Sequence, residues 1–456
     1  MVKNVFKNYQ QLISHGYSRP RRVALDCLNH ALAAADTYMG TKRIVDLQGN
    51  ILTIGDESFN LSEVEDIYVV GAGKGSFPIA QALDEILGEK ITKGLVLVKQ
   101  GEKRRLKHIE IRETSHPVPN ELSLQGGMDI QKIALSAGEK DLVLVCLTGG
   151  CSSLMVLPVD EVSLQDKIKV NRLLLKTGAQ IHEMNAVRKH LSKIKGGRII
   201  QMIHPATSVT LTQYTAPDFL PWPDPALPDP STFGDAIEVL KKYELYEKIP
   251  ANVREYLLKG LSDPALETPK DFTGIKTYMF DTGNQRNACL AAVDHAKEIG
   301  YNAYVLSTKI EGESRHVGMV LAGIAKEIQM YCRPFAPPCV LVSAGETTVS
   351  LGDKVGHGGP NQELALGFAQ GIQEYKNIAL VSIDSEGTDG PTSIAGGIAD
   401  GLTMQRAKEL KIDIFDALKC HDSSTALKSL EDAVITGETG TNVVNLRVLV
   451  VERREE

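Results

Sequence analysis

The sequence lacks the pieces that several protein classes need. It has no CxxC pair, no GxxxxGK(S/T) phosphate loop and no Gly/Ser-rich low-complexity stretch. No apolar run approaches the roughly 18 residues of a membrane span. The seven cysteines (Cys27, Cys146, Cys151, Cys289, Cys332, Cys339 and Cys420) are odd in number and far apart, which fits reduced thiols in a cytoplasmic protein. A net charge of -7 and an isoelectric point near 5.9 leave no footprint for nucleic acid. The first 22 residues are basic, with Lys3, Lys7, Arg19, Arg21 and Arg22 and no acid before Asp26. A transit peptide has that pattern, and an N-terminal helix is the reading adopted.

What the chain does have is length and glycine. At 456 residues it exceeds one ordinary core, and its 40 glycines, spread rather than clustered, read as tight βα turns. β-Branched runs alternate with amphipathic stretches, with strands expected at 67–70, 94–98, 141–147, near Val305, and at 339–343, 378–383 and 443–451. That alternation predicts an α/β fold with a parallel sheet. Helix is expected over 21–39 and 77–87. Pro205 to Ser231 contains seven prolines and the single tryptophan, Trp222, and is expected to be neither helix nor central strand. The domain boundary is placed near residue 270, giving 1–269 and 270–456.

Two strands run directly into glycine turns, Gly71-Ala72-Gly73-Lys74-Gly75-Ser76 and Thr148-Gly149-Gly150-Cys151-Ser152-Ser153. Glycine lets backbone N–H groups approach an anion, and a following helix adds its positive end. Gly73, Lys74, Ser76, Gly149, Gly150, Ser152 and Ser153 are therefore candidate phosphate ligands. A dinucleotide site is disfavoured because the next strand ends in Lys99 and Gln100 rather than an acid, which leaves NADP open.

Between 184 and 195, Met184, Val187, Leu191 and Ile194 recur at helical spacing, and Asn185, Arg188, Ser192 and Lys195 follow one residue along. The second set predicts a polar stripe that mixes an amide and a hydroxyl with two cations, as a carboxylate or phosphate clamp would. Its alternative is a solvated basic face. In the C-terminal half, turns at Ser343–Thr348, Gly356–Glu363 and Asp384–Thr392 offer Thr347, Asn361 (also a good N-cap), and the acids Glu346, Asp384 and Asp389. Such acids hold Mg²⁺ or accept a hydroxyl proton; capping and turn chemistry is the alternative.

These turns belong to a longer set: GAGKGS (71–76), SHPVPNE (115–121), TGGCSSL (148–154), TGAQIHEMNAVRKHLSKIKGGR (177–198), GESRHVG (312–318), SAGETTV (343–349), GGPNQELAL (358–366) and GTDGPT (387–392). Over most of its length the chain resembles the class II glycerate kinases, the DUF4147/MOFRL family. The resemblance implies a Rossmann-like N-terminal domain with a parallel sheet, a second mixed α/β (MOFRL) domain, and phosphorylation of D-glycerate at its 2-hydroxyl with ATP and Mg²⁺. It makes Lys74 a leading catalytic candidate. With the residues above, the expected machinery is Lys74, Arg188 and Asp389 as catalytic, and Glu346 with Asp389 at the metal. The expected partner is a small sugar acid, with no nucleic acid and no membrane, and a homodimer is left open. Three departures stand out. Family members usually read like SDVPGD then ASGPT where this chain has Thr212–Asp218 and Pro221–Pro225. Pro360 replaces a proposed catalytic arginine, and the loop 387–392 is about three residues shorter than the usual pattern. They leave room for a kinase of a four- or five-carbon aldonate, an NAD(P)-dependent hydroxypyruvate reductase, or a non-catalytic anion-binding homologue.

Overall fold

A computed structural model describes residues 4–101, 104–213, 225–351 and 355–454. The chain divides into two compact units, Thr37–Thr282 and Met1–Asp36 joined with Gly283–Glu456. The exchange expected near residue 270 thus lies at Thr282/Gly283, and the first 36 residues belong with the C-terminal half. Two features account for this. The strand at 277–281 completes the sheet of the first unit. The Ser18–Ala35 helix shares its core with Ala288, Ala292, Val340 and Val448. Arg21 on that helix, fully buried, pairs with Asp400 and, at 2.7 Å, with Asp432.

In the Thr37–Thr282 unit, β1 (Val45–Gln48), β2 (Ile51–Ile54) and β3 (Glu57–Asn60) form an antiparallel meander. The main sheet contains β4 (Ile67–Ala72), β5 (Lys93–Lys99), β6 (Glu110–Thr114), β7 (Leu142–Leu147), β8 (Thr207–Thr212) and β9 (Thr277–Asp281). All its pairings are parallel, in the order β6-β5-β4-β7-β8-β9. The order reverses between β4 and β7, so the turns that follow those two strands open at the switch point, where doubly wound sheets bind their ligands. Both strands are buried along their whole length, as their apolar runs demand. β8 corrects the reading of the proline-rich stretch: Thr207–Thr212 is a central strand. The six residues are all Thr, Ser, Val or Leu, and the next proline after Pro205 is Pro217. Pro217 to Asp224, with Trp222, lies outside the described residues.

The other unit contains β10 (Asn302–Ser307), β11 (Gly312–Glu313), β12 (Cys339–Ala344), β13 (Thr347–Thr348), β14 (Ile378–Asp384), β15 (Gly396–Asp400), β16 (Ala433–Val434) and β17 (Asn445–Val451). Its mixed sheet runs β10-β12-β17-β14-β15-β16, with β10 and β12 parallel and the remaining pairs antiparallel. β17 is central and alternates cleanly: Leu449 and Val451 pack with Leu364 and Phe368 on one face, and Val448 and Val450 enter the core shared with the Ser18–Ala35 helix on the other. Because β12 and β14 both oppose β17, their last residues and the start of β17 share one edge, with Ala344 beside Leu446 and Asp384 beside Asn445. Among the described residues no helix is long and apolar enough to cross a membrane.

Candidate active site

At the switch point the two glycine turns divide the work. Every backbone N–H of the first turn is already used: Gly73 donates to Leu97 O, Lys74 to Gly149 O (2.8 Å), Gly75 to Thr148 Oγ1 (2.8 Å) and Ser76 to Gly73 O. The Ser76 hydroxyl, fully buried, donates to Cys146 O and meets Thr148 Oγ1. This turn is therefore a lock between β4 and β7 that presents the Lys74 side chain, not the backbone cradle its glycines suggest. Gly73, at φ +149°, is required there, since a Cβ would stand 2.1 Å from Thr148 Oγ1. In the second turn, by contrast, the N–H groups of Gly149, Gly150 and Ser152 meet no acceptor among the described residues. Gly150 has φ +87°, and a Cβ on it would lie 3.2 Å from both Lys74 Cγ and the ring of His116. Lys74, His116 and the open N–H groups of the second turn thus come together.

The basic segment reaches the same turn. Lys195, almost wholly buried, places its ammonium 2.6 Å from Ser152 O. The expected continuous helix ends at His190, however. Ser192 forms a β-bridge with Pro158, and Lys193 N–H donates to Leu157 O, which takes the chain out of the helix. Ser192 is fully buried and its hydroxyl donates to Leu157 O, so it serves that bridge. Lys195 returns to the site through the following turn, where Gly196 and Gly197 have positive φ. Among the described residues Arg188 bonds only amide oxygens, Asn171 Oδ1 at 3.2 Å and Asn185 Oδ1 at 3.4 Å. Lys167, from the Leu164–Leu175 helix, is buried against the carbonyls of Arg188 and Leu191. Burial holds the Lys195 ammonium down at about 8, with Arg188 adding to the effect, and lowers Arg188 and Lys167 as well. None of the three faces a carboxylate among the described residues. Their neighbour Lys189 does, pairing with buried Asp229 at 2.8 Å. The solvated basic face is excluded: Asn185, Ser192 and Lys195 are all buried.

In the other unit the sheet edge carries acids. Asp389 is buried, and its oxygens accept from the backbone N–H and side-chain amide of both Asn361 (3.2 and 2.9 Å) and Gln362 (3.0 and 3.1 Å). It caps the Pro360–Ile372 helix, an occupation that leaves neither oxygen turned to a metal. Asn361 is not the N-cap. Gly359 holds that position, Pro360 is the first helical residue, where its missing N–H costs nothing, and Asn361 is buried in bonds to Asp389, Asn445 and Ser382. The Thr347 hydroxyl, also buried, accepts from Ser314 and Arg447. Asp384 is the perturbed group: burial, then Glu386, Asp389 and Glu346, push its carboxyl up to about 8. Among the described residues no three His, Cys, Asp or Glu side chains are arranged around a metal position. A magnesium ion carried on nucleotide phosphates needs only one or two protein carboxylates. Glu346, exposed, and half-buried Asp384 fit that need; Asp389 does not.

Residues 23–258 match the family described as a domain of unknown function, DUF4147, and residues 339–445 match the MOFRL family. A glycerate 2-kinase of Pyrococcus horikoshii is 37% identical over 94% of this chain and 97% of its own. The crystal structure of a glycerate kinase from Thermotoga maritima superposes with a TM-score of 0.82 at 35% identity, covering 93% of this chain and 98% of the other. The chain belongs to the class II glycerate kinase (DUF4147/MOFRL) family. A putative hydroxypyruvate reductase of Agrobacterium vitis, 37% identical over 84% of this chain and 98% of its own, is a further relative.

Within this family member, two residues of the site were not singled out from the sequence. His116 sits in the SHPVPNE motif, a signal that was visible but had no assigned role. Lys167 lies in an ordinary amphipathic pattern, LQDKIKVNRLLL, and only tertiary packing shows that it is buried. Of the family departures, Pro360 is absorbed as a helix start, and of the altered loop at 212–225 residues 214–224 lie outside those described.

Proposed function

We propose that this chain transfers the γ-phosphoryl group of ATP to the 2-hydroxyl of D-glycerate. The observation that carries the reading is the buried group of Lys167, Arg188 and Lys195, which meets no carboxylate among the described residues, beside the N–H groups of Gly149, Gly150 and Ser152, which meet no acceptor among them. Buried cations are ordinarily paired. Here the missing partner is an oxyanion supplied by the ligand.

Lys74 and the second glycine turn hold phosphoryl oxygens. Arg188 and Lys195, with Asn185 orienting the guanidinium, hold the glycerate carboxylate. In the transfer the bond from the γ-phosphorus to its bridging oxygen breaks, a bond to the C2 oxygen forms, and the hydroxyl proton is released. Catalysis of such a step is mainly positioning and neutralisation of oxygen charge. Lys74 supplies that charge, so removing it costs about 10²–10³ in kcat. Glu346 and Asp384 would hold a magnesium ion, and that ion would supply neutralisation of phosphoryl oxygen charge. A reductase reading needs a ribose-binding acid after the second strand of the fold, and β5 ends at Lys99 with Gln100 following.

The test is ADP release with Mg²⁺-ATP across D-glycerate, L-glycerate and four- to six-carbon sugar acids, with the product's phosphorylated carbon read by NMR. Turnover of D-glycerate to the 2-phosphate is expected. Turnover only of a larger acid, or none, would sink the assignment.

A further inference from the structure

Among the described residues four arginines carry a buried nitrogen with no hydrogen-bond partner, Arg21, Arg315, Arg406 and Arg447. An open nitrogen alone therefore distinguishes none of them. What differs is the charge opposite. Arg21 pairs with Asp400 and Asp432, Arg406 with Asp432, and Arg315 with Glu313 at 3.5 Å. Arg447 is fully buried on the central strand β17 and forms no ion pair with a carboxylate among the described residues. Burial brings its guanidinium down to about 10, opposed by the charges of Glu346 and Asp389, so it is a cation at neutral pH.

An apolar residue would suit that position on a central strand better, because a buried cation without a paired acid opposes folding. The bonds of the side chain show where it acts. Nη2 donates to Gly345 O and to Thr347 Oγ1, each at 3.2 Å, so one nitrogen holds the residues on both sides of Glu346. The same turn is fixed from three further directions. Gly345 N–H donates to Asn445 O at 3.2 Å, Ile310 N–H donates to Ala344 O at 3.0 Å, and the Ser314 hydroxyl donates to Thr347 Oγ1 at 3.0 Å. Gly345 itself stands at φ +129°, where a Cβ would lie 2.3 Å from Ile310 O. The backbone of the turn is pinned, while Glu346 is exposed.

We propose that Arg447 is a positioning residue: through Gly345 and Thr347 it aims the Glu346 carboxylate at the magnesium ion carried by the nucleotide. This rests on the kinase reading and adds a residue to it. Because it is fully buried, Arg447 acts through the turn and not on the ligand. Removing a residue that orients a metal's ligand weakens the metal by about 10–10²-fold.

The test uses the full chain with Mn²⁺ as the probe, free Mn²⁺ being read by EPR in the presence of a non-hydrolysable ATP analogue. Arg447→Met should weaken Mn²⁺ about tenfold and raise the half-saturating Mg²⁺ for turnover similarly, with less than about threefold change in the KM for D-glycerate. Arg447→Lys, which keeps a charge and a donor, should recover part of the loss. On a Glu346→Gln background Arg447→Met should add less than about twofold, because the carboxylate it aims is gone. A strut for the fold alone would lower the folded fraction and leave the Mn²⁺ affinity of the folded protein where it was. If Arg447→Met fails to fold, Thr347→Val removes one of the two acceptors, and about threefold weaker Mn²⁺ is expected. Unchanged Mn²⁺ affinity in either folded variant, or an equal loss with and without Glu346, overturns the inference; turnover of D-glycerate by the unaltered chain then leaves the kinase reading standing. An unaltered chain that neither binds Mn²⁺ with the analogue nor turns over any acid overturns both.

Discussion

The Lys195 ammonium lies 2.6 Å from the carbonyl oxygen of Ser152, so the basic segment and the second glycine turn are joined by a buried cation. An ammonium has three N–H donors, and this one spends one of them on a carbonyl. The others are available to a bound oxyanion.

Lys195→Met keeps the volume and removes the charge. Activity should fall about 10²-fold in kcat/KM, while stability is unchanged or rises, because a poorly compensated buried charge has been replaced by an apolar side chain. The pH dependence follows from its pKa, held at about 8 against the ordinary 10.5. Between those values the unfolded chain holds the proton and the folded chain has lost it, so stability rises with pH across that window and the cost is fully present below it. Chemical denaturation at pH 7.5 and 10 should show that slope in the unaltered chain and not in Lys195→Met.

Asp384 has the opposite sign. Its folded pKa is about 8 against an ordinary 3.8, so the folded chain holds a proton that the unfolded chain has released. Stability falls as pH rises from about 4 to 8, and the full cost is present above that. Asp384→Asn should raise the Tm at pH 8.5 and leave it nearly unchanged at pH 4. A bound divalent cation favours the charged form. Mg²⁺ with a nucleotide should therefore stabilise the unaltered chain more at pH 8.5 than at pH 5, and Asp384→Asn should abolish that difference. An equal Mg²⁺ effect in the variant would remove Asp384 from the metal site.

Asp389 should separate from Asp384 in kind. Because it caps the Pro360–Ile372 helix through both oxygens, Asp389→Ala should lower stability by about 1–3 kcal/mol in urea unfolding. If the carboxylate were instead chiefly a metal ligand, the loss would appear in the Mg²⁺ dependence of turnover with stability intact.

Gly150→Ala places a methyl group 3.2 Å from Lys74 Cγ and from His116, at a backbone φ of +87°. The strain is about 1–2 kcal/mol. Activity should fall much further than this modest loss of stability suggests, because the new group pushes on both side chains. Comparing kcat with Tm in the same preparation checks it; full activity would mean that neither residue works from the position seen.

The fold was legible where a signal is local. IYVVGAGKGS and LVLVCLTGGCSS announce strand, turn and helix within a dozen residues, and both were placed correctly. The likeness to a family carried the two-domain architecture. What escaped depends on partners far along the chain. The helix that should have run to Lys195 ends at His190 because Ser192 meets Pro158. Asn361 is not the N-cap, which is Gly359, and the first free N–H groups of that helix go to a carboxylate 28 residues later. β6, EIRET, carries three charges, and β8 was hidden by the prolines that follow it. For the site, periodicity found Arg188 and Lys195 but could not tell a ligand-facing hydroxyl from a strut, which is what Ser76, Ser192 and Thr347 turned out to be.

The central position of β17 has a consequence for synthesis. The unit of 37–282 is complete once its last strand has left the ribosome, and it can fold while the rest is still being made. The other unit cannot: its first helix emerges at the outset, yet the strand on which both halves of its sheet are zipped is Asn445–Val451. For nearly the whole of translation the apolar face of Ser18–Ala35 has no finished surface to lie on, so the nascent chain exposes apolar surface that the folded chain buries.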